Sequence, residues 1–255
     1  MVTYSHSRLA TFEQCPFKFK LRYIDKVVPE IENTIESYLG SIVHNTLEWV
    51  YIETKKEKVP TIDDTIVYYA ESWEKGFSLE IKIVKKNLTA KDYFEKGVKF
   101  LLDYYVRHAP FNDNTLEIEK RISIKLNEDS NLQGFIDRLT YNSEAGEYEI
   151  HDYKTAANLP TKEKIESDRQ LALYSIAIKE KFGFDKEVVL IWHYLAHDMD
   201  IVSRRTNEQL EQLKKDIIHL IKQIETETDF PYRESALCGW CEYKNTCLEC
   251  RRDSN

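Results

Sequence analysis

Apolar and polar residues alternate most regularly in the middle of the chain. Thr115 to Asn127 (TLEIEKRISIKLN) switches character from one position to the next, as a strand with one buried face does. Gly134–Tyr141 and Tyr148–Thr155 are rich in β-branched and aromatic residues. The polar stretch Asn142–Glu147, containing Gly146, lies between them and predicts a β-hairpin. Glu187–Ala196 and Asp200–Arg205 read as two more strands, joined through His197-Asp198-Met199. Elsewhere the period is helical. Residues 7–24 form an amphipathic stretch interrupted at Cys15-Pro16, because proline disfavours helical geometry at the residue before it. From Ser37 to about Glu57, Leu39, Val43, Leu47 and Val50 share one helix face. Thr61 and Thr89 each stand three residues before an aspartate, as helix N-caps do, and predict helices filling most of 61–108. A helix from about Thr161 to Phe182, stopped by Gly183, and another from Thr206 to about Glu227 complete the pattern. The alternation of strands and helices predicts an α/β fold: a mixed central sheet flanked by helices, with 61–108 as a helical insertion or lid that shows no chemistry of its own.

The hairpin carries the candidate chemistry. If it closes symmetrically about Glu144-Ala145, Asp137 falls opposite Asp152. Side chains alternate along a strand, so Asp152 and Lys154 point one way and Tyr153 the other. Two carboxylates and one ammonium then share a sheet face. Like charges held together need something positive between them, and a divalent cation with oxygen ligands is the simplest answer. The competing reading is a solvated hairpin with an ordinary ion pair. A register slip of one residue would separate the two acids.

The chain has 255 residues, enough for a substantial core, and only 7 Gly and 6 Pro, which argues against long flexible linkers. Its net charge of −8 promises no general basic surface for nucleic acid. The most basic local segment holds Lys18, Lys20, Arg22 and Lys26 interleaved with Phe17, Phe19 and Tyr23. It reads either as a helix with a snorkelling cationic side or as a guide for a single strand. No apolar run reaches the roughly 18 residues of a membrane span, and no signal-peptide core opens the chain, so a cytoplasmic protein without membrane contact is expected. His44 sits beside the apolar stripe of its helix, either as a satisfied core residue or as a ligand.

Cysteines are concentrated at the C-terminus. Cys238, Cys241, Cys247 and Cys250 follow one another at gaps of two, five and two residues, and Cys15 stands alone near the other end. In an expected cytosolic setting this suggests metal ligation over disulfides. Two arrangements remain open: a local Zn2+ knuckle of Cys238, Cys241, Cys247 and Cys250, or a cluster such as [4Fe–4S] that takes Cys15 as fourth ligand.

Several short motifs in order resemble the PD-(D/E)XK nuclease superfamily, specifically its RecB-like iron–sulfur exonucleases, which include CRISPR-associated members. They are S-x-S-x-L-x-x-F-x-x-C-P-x-x-F from Ser5 to Phe19, G-x-x-x-H ending at His44, G-F-I-D ending at Asp137, D-Y-K-T from Asp152, Q-x-x-x-Y from Gln170 to Tyr174, and the C-terminal cysteines. The resemblance implies a restriction-endonuclease-like fold in one domain over 1–255, with 228–255 as a cysteine-rich segment joined by Cys15. It implies His44, Asp137 and Asp152 as ligands of Mg2+ or Mn2+, with Asp137, Asp152 and Lys154 as the catalytic set. Gln170 and Tyr174 are implied to contact DNA, so Gln170→Ala is expected to leave ion affinity unchanged. Cys15, Cys238, Cys241 and Cys247 are implied as [4Fe–4S] ligands, leaving Cys250 spare. The implied function is metal-dependent DNA hydrolysis, as an exonuclease on single strands or duplex ends, with a helicase or the CRISPR-adaptation machinery as possible partners. The alternatives are a catalytically inactive nuclease-fold DNA-binding or assembly subunit and a zinc-dependent binding protein. Asp152 stands where many relatives carry glutamate, and no phosphate-binding G-x-x-x-x-G-K-[ST] loop occurs.

Overall fold

The computed structural model describes residues 2–29 and 33–247; Cys250 lies outside the described residues. A six-stranded mixed sheet is built around the long strand β3 (Ser130–Asn142). Strand β2 (Thr115–Lys125) runs antiparallel along one edge of it. The other edge is shared. Strand β1 (Val2–Ser5) pairs parallel with the first part, from Val2↔Ser130 to Ser5↔Gln133. Strand β4 (Glu147–Lys154) pairs antiparallel with the last part, from Arg138↔His151 to Asn142↔Glu147. Strand β5 (Val188–Tyr194) joins β4 in parallel, and β6 (Met199–Arg204) closes the sheet antiparallel to β5. Four positions of β3, Gly134 to Asp137, thus face an opening between β1 and β4.

The observed register is the symmetric one. Arg138 opposite His151 is the last pair of the ladder, and continuing the same register by one residue sets Asp137 across from Asp152. The β1 strand carries no sequence signal of its own, being four residues long and leading directly into a helix.

Helices cover both faces, each over its own core. On one side α1 (His6–Gln14), α7 (Gln170–Phe182) and α8 (Asn207–Thr226) bury Leu9, Leu173 and Ile217 against Ile150 and Trp192 of the sheet. On the other, α3 (Ile35–Lys55), α4 (Ile62–Gly76) and α5 (Ala90–His108) gather Val43, Leu47, Tyr69, Leu101 and Tyr104 with Tyr153. The stripe expected on α3 is buried throughout: Leu39, Val43, Leu47 and Val50. Thr61 and Thr89 close complete capping boxes with Asp64 and Asp92, which satisfy backbone N–H groups at the two helix starts.

One local expectation needs correction. The helix predicted over 161–182 is two: α6 (Lys162–Glu166) and α7, separated at Ser167–Arg169. Asp168 accepts a hydrogen bond from the Gln170 backbone N–H at 3.0 Å, giving that backbone group a partner outside a continuous helix. The interruption expected at Cys15-Pro16 is present. The extended backbone of Cys15 ends α1, and Pro16 starts α2 (Pro16–Phe19), which continues as a π-helical turn through Ile24. The basic residues of that turn are already engaged. Glu242 of the cysteine-rich segment lies 2.8 Å from Lys18 and 3.4 Å from Arg22, so much of this charge is neutralised within the fold.

Candidate active site

Asp137, Asp152 and Lys154 meet at the opening between β1 and β4. Asp137 Oδ2 accepts the backbone N–H of Tyr153 at 3.0 Å and lies 3.2 Å from His44 Nδ1 on α3. The other ring nitrogen, His44 Nε2, lies 2.7 Å from the carbonyl oxygen of Tyr153. Asp152 is buried, with Oδ2 at 2.7 Å from Lys154 Nζ. Gln170, the first residue of α7, braces both groups. Its Nε2 donates to Asp152 Oδ1 and its Oε1 accepts from Lys154 Nζ, each at 3.0 Å.

The electrostatics show a shortage of positive charge. Burial pushes the Asp137 carboxyl up to about 6, and the charge of Asp152 adds to the effect. On β2, Glu119 is pushed up to about 7 by burial, by Asp137 and by Glu48. Glu119 lies between the paired positions Ile118↔Arg138 and Lys120↔Ile136, hence beside Asp137, and adopts a left-handed φ of 46°. For Lys154, burial favours the neutral amine, but Asp152 outweighs it and the net shift is upward, so it is an ammonium at neutral pH. The donor set of two carboxylates, an imidazole and a backbone carbonyl fits a hard or borderline divalent ion.

The sequence-derived site residues are thus largely assembled, with two differences. The resemblance implies that Gln170 contacts DNA; in the structure its side chain holds Asp152 and Lys154 from the first position of α7. Tyr174, one turn further on, is buried, and its ring fills the space over Gly134: a Cβ there would come within 2.4 Å of it. Residues without a sequence signal also join the site. The Tyr153 carbonyl is one, since backbone atoms leave no trace in composition. His6 is another: its Nδ1 is buried without a hydrogen bond, and its imidazole is pulled down to about 4 by burial, then by Arg169 and Lys154.

The insertion contributes more than cover. A cleft of about 670 Å3 between α3, α5 and the end of β4 is lined by Lys85, Lys96 and Lys99 and reaches Lys154 and Thr155. Lys85 and Lys96, the cleft lysines without a close carboxylate partner among the ion pairs described, and Lys99, paired with Asp103, thus come from the insertion expected to show no chemistry of its own. At the opposite end, Cys15, Cys238, Cys241 and Cys247 line one small cavity of about 20 Å3. None of them forms a disulfide. Four thiols around a single cavity fit a thiophilic metal centre.

A mixed sheet flanked by helices, whose adjacent strands present two opposed acids and a lysine beside an opening left by a short parallel strand, has the restriction-endonuclease-like fold. The sequence model of the PD-(D/E)XK nuclease superfamily matches residues 3–248, and the chain belongs to that superfamily. An exonuclease candidate from Eubacterium rectale superposes with a TM-score of 0.52 at 13% identity, covering 98% of this chain and 87% of that one; at this identity the likeness establishes the fold. The structure of SSO0001 aligns at 16% identity with a TM-score of 0.41, over 92% of this chain and 94% of that one. No curated protein matches the sequence. Among the described residues, no helix is long and apolar enough to cross a membrane.

Proposed function

We propose that the chain is a divalent-metal-dependent deoxyribonuclease acting from DNA ends, built as one nuclease domain and stapled by an iron–sulfur cluster. The observation that carries the reading is the juxtaposition of Asp137 and Asp152, one residue beyond the last β3–β4 pair, with Lys154 held beside Asp152 by that acid and by Gln170. Asp137, Asp152, His44 and the Tyr153 carbonyl would hold Mg2+ or Mn2+, which when bound polarises the scissile phosphodiester and acidifies a water molecule. Lys154 stays protonated and offers its N–H groups to a phosphoryl oxygen as negative charge develops there. Gln170 fixes the position of that ammonium. His44, locked between Asp137 and the Tyr153 carbonyl, keeps α3 seated over the site. Lys85, Lys96 and Lys99 draw the phosphate backbone along the cleft towards Lys154. Support for the preference for ends, and for Cys15, Cys238, Cys241 and Cys247 as ligands of [4Fe–4S], comes from the RecB-like motifs; the four thiols around one cavity agree with the latter.

The test is degradation of end-labelled single-stranded DNA with Mg2+ or Mn2+, alongside calorimetric ion binding. Asp152→Ala is expected to lose both ion affinity and cleavage, because a hard oxygen ligand is removed. Lys154→Ala is expected to keep ion binding and lose ~10²–10³ in rate. Wild-type chain that binds DNA yet cleaves no end or internal bond in either metal would instead establish a non-catalytic DNA-binding subunit.

A further inference from the structure

Beneath the sheet, on the face away from Asp152, a second set of polar side chains is buried. Arg138 Nη2 lies 3.1 Å from His151 Nδ1. A guanidinium only donates, so this imidazole nitrogen must carry a lone pair, and the His151 proton belongs on Nε2. There it meets Thr140 Oγ1 at 3.1 Å, and that hydroxyl donates onward to Glu149 Oε2 at 2.8 Å. The tautomer of His151 is therefore fixed from both sides. His193 Nε2 lies 2.9 Å from the same His151 Nδ1, with the two rings within 4° of parallel. To avoid opposing lone pairs, His193 must donate from Nε2.

A neutral His193 then has no proton left on Nδ1, which faces Asp200 Oδ1 at 2.6 Å. An imidazole nitrogen and a carboxylate oxygen at that distance share a proton, which makes His193 an imidazolium, unless the pair opens slightly to take a metal ion between them. His108, at the end of α5, brings a third donor: its Nε2 is buried and has no hydrogen-bond partner. Ligand atoms of His108, His193 and Asp200 all lie within 4.8 Å of one another. A proton on His193 Nδ1 would relieve one of these contacts and leave His108 orphaned. A metal ion would satisfy all three.

Charge agrees with this choice. The network contains two guanidiniums, Arg107 and Arg138, against four carboxylates, Asp113, Asp198, Asp200 and Glu149, with an excess of two negative charges when the histidines are neutral. Arg107 touches Asp200 Oδ1 at 3.0 Å but has a second carboxylate, Asp198, at 3.3 Å. The Asp200 side chain is 29% exposed, which gives an ion a way in.

We propose that His108, His193 and Asp200 form a second metal site, of the two-imidazole, one-carboxylate type that suits Zn2+, clamping the insertion helix α5 to the β5–β6 hairpin. The proton that His193 passes to His151 is the outer hydrogen bond that orients a metal-bound imidazole. The site is separate from the catalytic acids and does not depend on how they act.

Equilibrium dialysis of the full chain against Zn2+, with metal counted per chain, tests it. Wild type is compared with His108→Ala, Asp200→Asn and the double variant, all checked for folding by near-UV circular dichroism. Each single variant and the double variant are expected to bind one Zn2+ fewer than wild type. Losing a ligand should weaken the site beyond the roughly 10–100-fold that loss of a ligand's hydrogen-bond partner costs. The same decrement is expected in chains that also carry Asp137→Asn and Asp152→Asn. With Co2+ in place of Zn2+, the absorbance lost in His108→Ala should contain no thiolate charge-transfer band, which separates this site from the cysteines. Equal zinc counts in wild type and the variants overturn the proposal. Should His108→Ala fail to fold, Asp200→Asn, conservative in shape and part-exposed, decides alone.

Discussion

Replacing Gln170 separates the brace seen in the structure from the substrate contact that its sequence position suggests. The side chain makes two hydrogen bonds of 3.0 Å, one to a carboxylate and one to an ammonium. Hydrogen bonds to charged groups are each worth about 1.5–3 kcal/mol. Part of that loss falls on stability, and the remainder on the freedom gained by Asp152 and Lys154. If Asp152 is a metal ligand, releasing it should weaken Mg2+ or Mn2+ binding about 10–100-fold, or ~1.4–2.7 kcal/mol. The cleavage rate at saturating metal should fall by up to ~10², the scale of an ångström-sized misplacement. Gln170→Ala tests this, with Gln170→Met keeping the volume while removing both hydrogen bonds. Calorimetric titration with Mn2+ gives the affinity, and single-turnover cleavage at saturating metal gives the rate. Ion affinity within two-fold of wild type, together with a large rate loss, would refute the brace and return Gln170 to a substrate-only role.

Three further outcomes follow from the same geometry. Because burial and Asp152 raise Asp137 to about 6, protons compete with the ion there. Divalent-ion affinity should climb as pH rises to about 6 and level off above it, while the metal-free chain is relieved of the Asp137 penalty as pH falls through that value; an affinity independent of pH between 5 and 7 would contradict this. Gly134→Ala should destabilise the chain by about 1–3 kcal/mol, since the added methyl meets the buried Tyr174 ring and a well-packed site resists extra volume; an unchanged melting temperature would show that the ring moves aside without cost. Cys15→Ala should release the bound metal or cluster and cost on the order of 4–5 kcal/mol, by analogy with a cross-link that closes a very long loop. Full iron content and normal thermal stability would remove Cys15 from the ligand set.

The parts of this protein legible in its sequence are those whose determinants lie within a few residues of one another. The register of the β3–β4 hairpin was readable because turn and strands are contiguous, and the pairing of Arg138 with His151 places the two acids as the symmetric closure requires. The Thr61 and Thr89 helix starts were readable because a capping box spans four residues. So was the helix break at Cys15, because Pro16 acts on its immediate neighbour. The rest depends on contacts between distant segments. Whether Gln170 faces substrate or Asp152 is set by where α7 begins, and that start is stabilised by Asp168 and by the packing of α7 on the sheet. The parallel pairing of β1 with β3 brings residues 2–5 beside residues 130–133, a contact that no local pattern encodes. The insertion looked inert for the same reason. Tyr104 and His108 acquire partners only when α5 docks beneath β4 and β5, where Tyr153 and His193 wait at positions far along the chain. Local chemistry fixes the elements and their ends, while the pairing of buried polar groups is settled by which surfaces the hydrophobic cores bring together.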